Sequence, residues 1–196
     1  HVCNEAQLLN LKVASHTSGG RGITIGVKNG LHTVEHGHWL DDETVDLMSE
    51  KQTFYVPTLL VNERNFELSN EETGATKSNL QWLELAREAK WISLEKAIKA
   101  KINIAVGTDS GFMLPHGSMN YREMDLLKQG GLNNMQVIKS ATKIGAKLLE
   151  INAGTIEIGK EADILIINGN PLEDISILSD RNNIKVFKKG VLISNY

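Results

Sequence analysis

The sequence predicts an α/β fold: strand–helix units with parallel strands along most of the chain, then a tail of short strands. Three observations carry this. Runs of strand formers at 12–16, 33–37, 54–60 and 102–107 alternate with stretches of helical periodicity. The run Ile102-Asn103-Ile104-Ala105-Val106 is nearly continuous in apolar residues, as a strand buried on both faces should be. Beyond residue 150 the pattern changes to short runs, 163–168, 184–188 and 191–194, divided by Gly and Pro turns.

The elements follow in order. Val2, Ala6, Leu8, Leu9 and Leu11 suggest the end of a helix that feeds the strand 12–16. Residues 18–30 are expected to be helical, although Gly19, Gly20, Gly22 and Gly26 each cost about 1 kcal/mol against Ala inside a helix. Gly19 and Gly20 fit equally in a loop beyond His16, and Gly30 is a natural helix terminator before the strand 33–37. Asp41 and Asp42 are candidate caps for a helix over 43–51. After the strand 54–60, where Pro57 belongs near an end, comes a polar loop at 62–74. Leu80, Leu83, Ala86, Ala89, Ile92 and Ala97 then space out a long helix over 76–100. Helices at 120–129 and 134–149 complete the unit, the second with Asn133 as its cap.

Composition excludes several function classes. The 196 residues are 41% hydrophobic and 23% charged, an ordinary globular balance with room for a real core. A net charge of −3 leaves no basic footprint for nucleic acid. No apolar run reaches the roughly 18 residues of a membrane span. Cys3 is the single cysteine, which rules out an internal disulfide and fits a reducing, cytoplasmic setting.

The chemistry-bearing residues sit where strands give way to loops. Asp109, in Gly107-Thr108-Asp109-Ser110-Gly111, is either a helix cap or a buried carboxylate that needs a cation or donors around it. His16 closes one strand pattern and His36 another, and two imidazoles with a carboxylate suit a first-row metal such as Zn²⁺. His38 forms His-x-His with His36, so strand periodicity alone allows either as a ligand. Glu35 should point away from those ligands and need a partner of its own, and His32 reads as an ordinary exposed residue.

Taken together, Val13-Ala14-Ser15-His16, Val34-Glu35-His36-Gly37, Val56-Pro57-Thr58-Leu59, Gly107-Thr108-Asp109-Ser110-Gly111 and His116-Gly117 resemble the motifs of the metal-dependent amidohydrolases. Ser140-Ala141-Thr142 and the stretch from Gly154 to Asp163 extend the likeness in family order. The similarity is greatest to the imidazolonepropionase-like and prolidase-like branch. It implies the C-terminal half of a TIM-type (β/α)8 barrel, strands five to eight over residues 1–150, followed by part of a small β-sandwich over 151–196. The first-strand His-x-His pair and the fourth-strand Lys of the family are not in this sequence, so a piece of a longer protein is expected.

By the same resemblance His16 and His36 are metal ligands of strands five and six, and Asp109 is the metal-binding general base of strand eight. His36 is preferred over His38 because it matches the family's strand-end position. His116, His38, Trp39 and Tyr55 are the expected substrate-binding residues, with core packing as the alternative for Tyr55. Implied too are one or two divalent ions, most naturally Zn²⁺, and a small-molecule or dipeptide substrate. No nucleic-acid or membrane partner is expected, and the full-length protein is expected to be a homo-oligomer. The activity implied is hydrolysis of a C–N amide bond by metal-activated water, as in a prolidase-like dipeptidase. An imidazolonepropionase-like cyclic-amide hydrolase, a related deaminase and an inactive fragment lacking the N-terminal ligands are the alternatives.

Overall fold

A computed structural model of the chain describes residues 1–68, 74, 76–111, 114–117 and 119–193. Three parallel strands, β1 (Ala14–Gly19), β2 (Thr33–Trp39) and β3 (Phe54–Val56), pair in chain order. Residues around Ile104 extend the sheet through one parallel bridge to Tyr55. Two backbone bonds make that bridge, Tyr55 N–H to Asn103 O and Ala105 N–H to Tyr55 O, each 2.9 Å. The expected strand 102–107 is therefore a single bridge before the chain turns away towards Gly107.

The helices are α1 (Val2–Leu8), α2 (Arg21–Lys28), α3 (Asp42–Lys51), α4 (Leu59–Glu67), α5 (Lys77–Lys99), α6 (Asn120–Gln129), α7 (Asn134–Lys139) and α8 (Gly145–Leu149). A π-helical turn, Ser140–Ile144, joins the last two, so the expected helix 134–149 is continuous with its register widened in the middle. Asp41 caps α3 by accepting from Thr44 N–H, and Asn133 caps α7 in a capping box with Gln136. Asn29, one residue earlier than expected, closes α2, and Gly30 follows it at φ 94°. The strands β1 and β2 run past His16 and His36, so both imidazoles lie inside strands rather than at their ends.

Two expectations are corrected between residues 54 and 74. The strand stops at Val56, because Pro57 has no N–H to give a ladder, and the chain turns at once into α4. Residues 62–67, expected as loop, belong to that helix, whose first turn buries Leu59 and Leu60. Residues 69–73 of the same expected loop, and residue 194 of the last expected strand, lie outside the described residues.

The core gathers the inner faces of these elements, with Val34, Tyr55, Leu59, Leu60, Leu94, Leu127 and Val137 among its members. Helix α5 lies against β2 and is buried along Ala86, Lys90, Ser93, Leu94 and Ala97, a helical stripe that includes one lysine. After residue 150 an antiparallel sheet pairs β4 (Ile164–Ile167), β5 (Ile184–Lys188) and β6 (Val191–Ile193). No helix among the described residues is long and apolar enough to cross a membrane.

Candidate active site

Neighbouring parallel strands bring His16 of β1 and His36 of β2 together, their rings edge to face with centroids 4.5 Å apart. Strand register pairs His16 with Glu35, and His36 with Thr17. In a regular pleat His36 would therefore face away from His16. It does not, because its backbone is left-handed at φ 65° and the next residue, Gly37, at φ 51°. A Cβ on Gly37 would stand 2.9 Å from the Tyr55 ring, so only glycine fits that turn. Asp109 is a third left-handed residue, at φ 54°, and Thr58 a fourth, at φ 48°. Other left-handed residues, such as Gln52 and Lys101, sit in turns elsewhere, so it is the proximity of His36, Thr58 and Asp109 to one another that marks this end of the sheet.

His36 is buried, with Nδ1 2.7 Å from the Thr58 hydroxyl oxygen. Burial, then the charges of Lys90 and His16, push its pKa down to about 4, with Asp109 opposing. The ring is neutral at pH 7 and carries a free lone pair, as a metal ligand requires. His38 is buried too and its pKa falls to about 3, through burial first and then Lys90 and His36. Its Nε2 lies 3.5 Å from the Asn62 amide nitrogen, and its Nδ1 is buried with no hydrogen-bond partner among the described residues. The rings continue outward: His36 to His38 at 6.1 Å, His38 to Trp39 and to Trp82 at 5.5 Å each, and Trp39 to Trp82 at 5.9 Å. Both indoles keep an exposed face towards solvent.

Asp109 is exposed and its negative charge acts on His36, on Glu35 and on Lys90. Glu35 finds its partner in the Thr33 hydroxyl at 2.5 Å. Its pKa is raised, by burial first, against the Thr33 bond and with Asp109 adding. Glu35 is thus within Asp109's field rather than turned fully away from the site. Among the described residues no group of three or more His, Cys, Asp or Glu side chains is gathered tightly enough to hold a metal ion. The structure brings the two histidines together and leaves Asp109 within electrostatic reach of them. In chemical type the three still fit a divalent metal, since imidazole nitrogens and a carboxylate oxygen are the ligand types of Zn²⁺ sites.

Other expected residues fall differently. Tyr55 has no exposed surface, and its hydroxyl donates to His36 O at 3.0 Å and Gly37 O at 3.2 Å. It is a core residue that braces the bend in β2 and does not line a pocket. His116 is exposed, with its ring 3.7 Å from where a Cβ on Gly111 would lie. It lines a cleft of about 510 Å³ together with Tyr121, Leu165 and Val186, between the Asp109 loop and the antiparallel sheet. His32 is less exposed than expected: Nε2 is 2.9 Å from Leu148 O.

Beneath the histidines lies a buried ionic layer. Lys90 Nζ donates to Thr58 O at 3.0 Å and Asn62 Oδ1 at 2.6 Å, and stands 3.5 Å from Thr58 Oγ1. Glu123 accepts from Leu59 N–H at 3.0 Å and Leu60 N–H at 2.8 Å, capping α4 in place of Thr58. Burial lowers the Lys90 pKa and raises that of Glu123, and each charge opposes the shift of the other. The sequence carries one signal of this layer: a lysine and a glutamate at positions that helical spacing assigns to the core.

Comparison with known proteins bears on the family and the fold. The chain is 32% identical over 192 residues to the ochratoxinase of Aspergillus niger, covering 96% of this chain and 39% of that enzyme. A solved Xaa-Pro dipeptidase with methionine in its active site superposes at a TM-score of 0.88 and 35% identity, over 98% of this chain and 47% of that one. A prolidase in complex with N-methylphosphonate-L-proline gives 0.88 at 27% identity, over 100% of this chain and 48% of that one. The chain thus spans less than half the length of each of these relatives. With residues 1–193 matched by the family model, it belongs to the amidohydrolase family.

Proposed function

We propose that residues 1–150 are strands five to eight of an amidohydrolase barrel, with residues 151–196 contributing to a β-sandwich. On this reading they carry half of the active centre of a prolidase-like dipeptidase. The single observation behind the reading is the His16–His36 ring pair within the field of Asp109. Four parallel segments in consecutive order support the barrel assignment. The similarity to a Xaa-Pro dipeptidase and a prolidase supports the substrate class.

His16 and His36 would hold a divalent ion, with Asp109 beside it. Such an ion supplies Lewis acidity towards a carbonyl oxygen and lowers the pKa of water from 15.7 to about 7. The Asp109 carboxylate takes a proton from the attacking water and returns it to the leaving nitrogen, so one group serves as base and then acid. His38, whose buried Nδ1 has no hydrogen-bond partner among the described residues, would serve as a polar contact for the substrate. Trp39 and Trp82 present apolar surface beyond it.

The test is the full-length protein that contains this chain, assayed on Xaa-Pro dipeptides and analysed for bound metal. Asp109→Asn should lower kcat by about 10²–10⁴-fold while retaining the fold, as expected for loss of a proton-transfer group. Activity of Asp109→Asn close to the parent would overturn the role given to Asp109, and a parent protein that holds no divalent metal and cleaves no dipeptide would overturn the proposal in favour of an inactive relative.

A further inference from the structure

We infer that Lys90 is a positioning residue for His36: it holds Thr58 so that the Thr58 hydroxyl oxygen accepts the Nδ1–H of His36, leaving Nε2 as that ring's free lone pair. The purpose of the relay rests on His36 being a metal ligand, but its geometry does not.

The argument is a hydrogen count. Thr58 Oγ1 has one hydrogen to give and two lone pairs to receive with. Its neighbours are Pro57 O at 2.7 Å, His36 Nδ1 at 2.7 Å and Lys90 Nζ at 3.5 Å. The Pro57 carbonyl can only accept and the ammonium can only donate. Were the hydroxyl hydrogen given to His36, two acceptor oxygens would face each other at 2.7 Å with nothing between them. Giving it to Pro57 O leaves the oxygen to accept from Lys90 and from His36 Nδ1–H, and each group is matched. The tautomer of His36 follows.

Lys90 is what keeps the hydroxyl there. Thr58 is β-branched and left-handed, at φ 48° and ψ 52°, a conformation that needs outside support. The ammonium takes up the Thr58 carbonyl and the Asn62 side-chain oxygen, and Glu123 takes up the next two N–H groups. Two segments distant in sequence, α5 and α6, thereby hold the residue that carries the hydroxyl. Holding Asn62 Oδ1 also turns the Asn62 nitrogen towards His38 Nε2, so the same lysine orients the second ring.

The experiment compares the full-length protein with Thr58→Val, Thr58→Ser, Lys90→Met and Lys90→Arg. Long-range ¹H–¹⁵N spectra of the metal-free proteins should show His36 protonated at Nδ1 in the parent and Thr58→Ser, and a mixed or reversed tautomer in Thr58→Val and Lys90→Met. Zinc affinity, measured with Zn²⁺ alone against a chelator, should fall by about tenfold to a hundredfold in those two variants, the usual cost of losing a ligand's supporting bond. Lys90→Arg should fall between. If Lys90→Met does not fold, the Thr58 pair decides the relay, since Val preserves the shape and removes only the hydroxyl. A parent with hydrogen on Nε2, or Thr58→Val binding zinc as the parent does, overturns the inference. A parent that binds no zinc defeats the proposed hydrolase instead, and the tautomer spectra still decide the relay.

Discussion

His16 and His36 meet edge to face at 4.5 Å although the register of β1 and β2 sets His16 beside Glu35. The left-handed turn at His36 and Gly37 swings the second imidazole to the side of the first. Tyr55 makes the turn durable by donating to both carbonyls of the bend. A residue in this conformation costs of order 1–3 kcal/mol, so the surrounding core must over-determine it. The site is thus assembled by a local backbone defect held in place by a buried phenol.

Acid should unfold this protein through its buried imidazoles. His36 and His38 have folded pKa values depressed to about 4 and about 3, whereas an unfolded histidine titrates near 6.5. The depressed values mean that the unfolded chain binds these protons first. Their contribution is complete above about pH 6.5 and is lost as pH falls towards the folded values. Each ring then costs about 1.4 kcal/mol per pH unit across its window. Denaturant midpoints between pH 7 and pH 4 should fall steeply, and His38→Gln should flatten the slope. An equal slope in that variant would show that His38 does not titrate this way.

Gly107 tests the approach of the Asp109 loop to the sheet. Its backbone would tolerate alanine, but a Cβ there would lie 2.4 Å from Val56 Cγ1. Gly107→Ala should destabilise by roughly 1–3 kcal/mol through overpacking and displace Asp109 two residues on. Removing the obstacle in Val56→Ala/Gly107→Ala should make the double variant more stable than the sum of the singles, with a coupling of at least about 0.5 kcal/mol. Additive losses by chemical denaturation would mean that the clash is relieved elsewhere.

The parts legible in the sequence were those governed by local rules. Apolar runs located the parallel segments, Asp41 and Asn133 announced their helices, and His16 and His36 stood on adjacent strands as expected. The failures have long-range causes. The helix starting at Leu59 has no local cap, because Glu123 supplies it from 64 residues away for Leu59. Local rules therefore predict a strand as far as residue 60 and a loop where the helix lies. Ser93, likewise, donates to His38 O and receives Leu40 N–H, stitching the end of β2 to α5 with no trace in either segment alone. Lys90 falls on the buried stripe of α5 at a spacing the sequence displays, but its reason, a threonine 32 residues earlier, has no local trace.

Trp82 provides the last prediction, about selectivity. Its indole lies 5.5 Å from the His38 ring and 5.9 Å from that of Trp39, and a large share of its surface stays open. Two adjoining half-open indoles next to a buried polar ring suit a large apolar side chain whose backbone is held by the polar group. On the proposed dipeptidase reading, Trp82→Ala in the full-length protein should cut kcat/KM for Phe-Pro or Leu-Pro by about tenfold or more, the scale on which apolar pockets discriminate. Ala-Pro, whose methyl side chain has little apolar surface to lose, should be nearly unaffected. The ratio between the two substrates is the measurement, because a loss of stability or of metal would lower both rates together. An equal fall on both would show that the tryptophan pair supports the fold of the rim and selects nothing.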